Sequence, residues 1–144
     1  IDYRVLTKAM RLYAYQSLYF TSLKYGTPYP LFDSSQEVPD LRYTDVLMIT
    51  GIASPEQMIA DVEPTTKSLT TMIFPDHHAF GSRDIEKINA AFNDIANDNN
   101  VIITTEKDAA RLRETEGLEE NVKKRMFVLP VEVKFMLEGE EKKN

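Results

Sequence analysis

The 144-residue chain contains no cysteine and no tryptophan, and only two histidines and five glycines. Without cysteine there are no disulfides and no thiolate metal sites, and a reducing compartment, the cytoplasm, is the expected setting. No window holds the roughly 18 consecutive apolar residues of a membrane-spanning helix. A basic stripe is missing too: the formal charge is −6, which speaks against a dedicated nucleic-acid binder. No G-x-S-x-G elbow offers a nucleophilic serine. None of Gly26, Gly51, Gly81, Gly117 and Gly139 belongs to a G-x-x-x-x-G-K-[ST] loop that would cradle nucleotide phosphates. What remains is a composition 42% apolar and 28% charged, globular in character and long enough for one domain with a real core. The sequence opens on Ile1 rather than methionine, so a piece of a longer protein is expected.

The middle of the chain alternates between two periodicities. DVLMIT (45–50), SLTTMIF (68–74) and NVIITT (100–105) are short runs, apolar or rich in β-branched residues, and read as buried strands. RMFVLPV (125–131) is a fourth, ended or pushed to an edge by Pro130. Between them, Ile85, Ile88, Ala91, Phe92 and Ile95 fall at three-and-four spacing and predict a helix over 83–98. Shorter helices are predicted over 55–62 and 106–113. Their expected starts are Ser54 with Gln57, Ser82 as the cap of the long helix with Asp84 and Glu86 in its first turn, and Thr105 with Asp108. Strand and helix in alternation predict an α/β fold: an open, mainly parallel sheet of about four strands with right-handed crossovers. Residues 35–137 form this lobe. Residues 1–34, which hold eight of the fourteen aromatics, form a connecting segment, and 138–144 a charged tail that frays.

In a parallel sheet the carboxyl ends of all strands share one edge, where ligands of open α/β sheets bind. Three loops should therefore meet there: TGIASP (50–55), FPDHHAFGS (74–82) and TTEKD (104–108). Both histidines of the chain sit in the second, after a proline that stiffens the loop and between two phenylalanines that can anchor it. Imidazole trades protons near neutral pH, and Asp76 can set the tautomer or basicity of a neighbouring ring. Two adjacent histidines project differently and rarely chelate one ion without further ligands, so no metal site is expected. Gly51, Lys107 and Arg111 are candidates for contact with a substrate or a phosphate at the edge. Each also has a purely structural reading: Gly51 in a tight turn, Lys107 and Arg111 on a solvated helix face. Asp108 reads mainly as a cap.

The order TGIASP, FPDHHAF, TEKDAARL, VLPVEV resembles the carboxyl-terminal part of the tetraacyldisaccharide 4′-kinases of lipid A biosynthesis, over about residues 10–135. Ser54 and Arg111 depart from that pattern, where Asn or Arg and Lys respectively are more usual. The resemblance implies an ATP- and Mg²⁺-dependent kinase that phosphorylates the 4′-hydroxyl of tetraacyldisaccharide 1-phosphate. It implies ATP and Mg²⁺ held mainly by an amino-terminal P-loop lobe lying outside this sequence. It implies an enzyme at the cytoplasmic face of the inner membrane, and a 144-residue piece that is inactive alone. The catalytic residues it implies are His77, assisting a base from the other lobe, and Asp76, which places it; His78 is the weaker choice. LYFTSLK would pair with VEVKFML (131–137) as a two-stranded connector. From a different functional class, a non-catalytic α/β module holding an anion or a protein partner at the same edge remains open.

Overall fold

The computed structural model describes residues 18–52, 55–76, 78–95 and 99–137; the side chains of 18–22 and 133–137 lie outside this description. The predicted tail 138–144 and the first half of the aromatic segment therefore fall outside the described residues, as does Ser54.

The chain divides into two units. In the first, β1 (Leu18–Tyr25) pairs antiparallel with β7 (Val131–Leu137), from Leu18 opposite Leu137 to Tyr25 opposite Val131, with one irregularity between Phe20 and Ser22. This is the pairing expected of LYFTSLK with VEVKFML.

The second unit, Thr27–Pro130, carries a five-stranded sheet in the order β2-β6-β5-β3-β4. β3 (Asp45–Thr50), β4 (Ser68–Ile73), β5 (Asn100–Thr105) and β6 (Met126–Leu129) run parallel. β2, only Tyr29–Pro30, adds an antiparallel edge to β6. The predicted α/β sheet is thus present with its four strands, and one short strand more. Burial explains the order. β5 is buried at every position and β3 at all but its first, which suits central strands covered on both faces. β4, with Ser68, Thr70 and Thr71 exposed, takes the outside position that its polar side tolerates.

Helices α1 (Glu56–Val62), α2 (Ser82–Asp94), α3 (Glu106–Leu112) and α4 (Glu120–Lys123) fill the connections. The stripe read in the sequence is the buried face of α2: Ile85, Ile88 and Phe92 pack with Leu47, Ile49, Ile102, Leu112 and Met126 in one core. Each such side chain contributes about 1.5–3 kcal/mol by leaving water, and truncating Ile88 to alanine should cost about 2–5 kcal/mol. Two helix starts differ from expectation. The cap of α2 is Gly81, one residue before Ser82, because the Asp84 carboxylate accepts the Gly81 N–H at 2.9 Å and fixes the first turn there. In α1 the Gln57 amide donates to Asp61 at 2.8 Å, one turn onward. Among the described residues no helix is long and apolar enough to cross a membrane.

The chain moves from β3 outward to β4, then returns past β3 to lay down β5 and β6 on the other side. The winding reverses between β3 and β5, so the loops after these two strands flank the position where such sheets open a crevice.

Candidate functional site

That position is closed by a carboxylate. Asp108, in the first turn of α3, is fully buried. Its backbone N–H donates to Thr105 Oγ1 at 3.1 Å, the cap expected from TEKD. Its side chain does more than cap. Oδ2 accepts the Thr105 hydroxyl at 2.7 Å and the Gly51 N–H at 3.0 Å, a residue 57 positions earlier. The other oxygen, Oδ1, has no hydrogen-bond partner among the described residues. Gly51 is glycine for reasons of space, since a Cβ there would lie 3.1 Å from both Asp108 Oδ1 and the Pro75 carbonyl oxygen. The third loop joins through its backbone, where Phe74 N–H donates to the Thr50 carbonyl at 2.8 Å. Three loops distant in sequence thus converge at the carboxyl edge.

The second cross-link is ionic. Lys107 Nζ lies 2.9 Å from Asp76 Oδ1, joining α3 to the loop after β4, with side chains 17% and 28% exposed. Lys107 is therefore held inward on a carboxylate, and Arg111 lies half-buried one turn farther along α3.

His78 occupies a different niche in the same loop. Its ring stacks on Phe74 with centroids 5.0 Å apart and meets Phe80 edge-on at 5.5 Å. Its Nε2 lies 2.8 Å from Asp84 Oδ2. The phenylalanines flanking the histidine pair thus anchor the loop, as the sequence suggested, and His78 is the residue they grip. Asp84 holds both this imidazole and the Gly81 N–H. The Gly81 donor first, then His78, lowers its carboxyl below the usual carboxylate range. Read in the sequence only as an acid suiting the helix dipole, Asp84 is the cross-brace of the loop. The signal available was its position, an acid on the first turn of the helix that follows the histidines. His77, and with it the expectation that Asp76 places it, lies outside the described residues. Among the described residues no group of three or more His, Cys, Asp or Glu is placed to hold a metal ion.

The structure therefore brings together Gly51, Asp76, Lys107 and Asp108, whereas His78 is bonded to Asp84 in an aromatic niche beside them. The family described as tetraacyldisaccharide-1-P 4′-kinase matches residues 7–144, which include every one of these positions. The chain belongs to this family. It is similar to the tetraacyldisaccharide 4′-kinases of Phocaeicola vulgatus (41% identity over 98% of this chain), Parabacteroides distasonis (39% over 97%) and Bacteroides thetaiotaomicron (37% over 100%). The aligned part is 39%, 39% and 40% of those relatives' own lengths, so the chain spans about two fifths of the curated kinases it matches. No solved structure matches it. The convergence of the three loops lies at the carboxyl edge of the sheet, where ligands of open α/β sheets bind.

Proposed function

We propose that this chain is the acceptor-side lobe of a kinase that moves the γ-phosphate of ATP to the 4′-hydroxyl of tetraacyldisaccharide 1-phosphate. The observation that carries the reading is the ionic cross-link at the carboxyl edge: Asp76, directly before His77 in the chain, is held 2.9 Å from Lys107 where the loops converge. Phosphoryl transfer asks little covalent chemistry of a protein and much positioning and charge placement. A loop braced through Lys107 on one side and through His78 and Asp84 on the other is suited to that work.

The residues present do not fit Mg²⁺-ATP. The sequence holds no P-loop, and the described residues hold no carboxylate or histidine cluster for a metal. ATP and Mg²⁺ belong in this proposal to an amino-terminal lobe. What this chain supplies is an imidazole, His77, that shares the proton of the acceptor hydroxyl with a base from that lobe, and a carboxylate, Asp76, that orients it. Action at the cytoplasmic face of the inner membrane, on an acylated substrate, is part of the same proposal.

In the intact kinase carrying this sequence, His77→Ala should lower kcat by about 10²–10⁴-fold, the usual worth of a general acid–base group, with little change in affinity for ATP. Unchanged turnover would remove His77 from the mechanism. The isolated 144 residues should hydrolyse no ATP, and magnesium-dependent hydrolysis by the pure chain would contradict the division of labour.

A further inference from the structure

The two outer strands of the five-stranded sheet are not alike. β2 is two residues long and one of them is Pro30, which cannot donate to a further strand. β4 is six residues long, SLTTMI, and pairs with β3 without a shift of register. It carries none of the devices that blunt an edge strand: no charged residue, no proline and no bulge. No strand lies beyond it among the described residues. The ladder fixes which way its backbone points. Phe74 N–H donates to the Thr50 carbonyl, and every second residue points the same way, so Thr70 and Met72 bond toward β3. Leu69, Thr71 and Ile73 therefore turn their N–H and C=O groups outward. Their side chains share one face of the sheet. Ile73, at 54%, is the one large aliphatic side chain exposed among the described residues.

We propose that β4 is the contact strand of a homodimer, paired antiparallel with β4 of a second copy about a two-fold axis through Thr71. A second copy is the occupant because the strand fits itself. In an antiparallel pair an outward residue must meet an outward residue, so that each rung can exchange its N–H and C=O bonds. Centred on Thr71, all three outward residues do so: Thr71 meets the partner's Thr71, and Leu69 and Ile73 meet the partner's Ile73 and the partner's Leu69. The same register covers the exposed Ile73 with an aliphatic neighbour and sets threonine beside threonine, pairings that stabilise sheets. Moving the axis to Thr70 also joins outward residues, but it leaves Ile73 facing Lys67, outside the strand. Charge favours this edge as well. Two copies at −6 repel, and an uncharged strand is where they can approach at least cost. The proposal is independent of the kinase reading.

A strand pair alone buries less than the roughly 1,000 Å² of a stable interface, so the dimer is a weak one, with a dissociation constant of about 10–100 µM. Light scattering on the 144-residue chain should show the mass rising toward twice that of the monomer through this range. A chain still monomeric at about 1 mM overturns the proposal. Thr71→Pro removes the central outward N–H without touching a bond to β3, and should abolish the dimer, whereas Thr71→Val should keep it. Unchanged association of Thr71→Pro places the contact elsewhere and ends the proposal. If Thr71→Pro does not fold, Ile73→Lys decides: it should weaken the dimer about tenfold or more, and no weakening overturns the pairing. Amide exchange locates the contact in the parent chain. Leu69, Thr71 and Ile73 should exchange more slowly in concentrated than in dilute samples, with Thr70 and Met72 unchanged. Slowing of both sets alike, or of neither, contradicts the register. Because the chain has no cysteine, Thr71→Cys gives one thiol per copy, with Cα atoms about 5.5 Å apart across the axis, within disulfide range. Oxidation should link Thr71→Cys chains into dimers but not Ser68→Cys chains, since Ser68 falls opposite the partner's Phe74. Equal linking of the two variants overturns the two-fold at Thr71.

Discussion

Two neighbouring residues in the first turn of α3 reach out to two different loops, and they do so in opposite ways. Asp108 is sealed from water and satisfies the Gly51 N–H and the Thr105 hydroxyl. Lys107 forms a partly solvated ion pair with Asp76. The first link carries structure and the second leaves charge at the edge within reach of chemistry. The difference shows how one short helix can be anchored rigidly and still present adjustable groups, by sealing one residue in the core and pairing the one before it with a half-buried carboxylate at the edge.

The contrast is tested by stability first. Asp108→Ala should cost about 3 kcal/mol in urea unfolding, because two buried donors lose a charged acceptor; Asp108→Asn, which keeps an acceptor, should cost less. Gly51→Ala should cost about 1–3 kcal/mol, since the added methyl must displace Asp108 Oδ1 or the Pro75 carbonyl, each 3.1 Å away. Asp84 supplies a pH-dependent case. Its carboxyl titrates below the usual 3.8, held there by Gly81 and then His78. A lowered value in the folded state stabilises the chain above the ordinary carboxylate range, and this contribution is lost as the pH falls through the folded value. Asp84→Asn should therefore be less stable than the parent at pH 6, and the gap should narrow by pH 3. The smallest effect belongs to Lys107→Met, below about 1 kcal/mol, as expected for a partly exposed pair. If it cost as much as Asp108→Ala, the two links would be of one kind and the contrast would collapse.

The strands were readable because each carries its own message. DVLMIT and NVIITT are β3 and β5 to the residue, and Pro130 ends β6 as expected. The stripe of α2 was equally plain. Its start was misplaced by one residue, since Ser82 is the better capping side chain but the Asp84 carboxylate captures the Gly81 N–H instead. Other features were not local at all. β2 is two residues long, one of them proline, and exists only because β6 offers it an edge. Asp108 looked like a cap because its second partner, Gly51, is visible only once β3 and β5 lie side by side. The pairing of His78 with Asp84 was hidden differently, by a loop and helix start between positions six apart whose path a sequence does not reveal. The convergence of three loops at one edge, by contrast, followed from parallel strands alone.

The antiparallel ribbon of β1 and β7 has a mechanical consequence. Its outer rung is Leu18 with Leu137 and its inner rung is Tyr25 with Val131, immediately outside the stretch Thr27–Pro130. Both outer residues sit at the same end of the ribbon, so tension applied to Leu18 and Leu137 would open it rung by rung, like a zipper, rather than shear all its rungs at once.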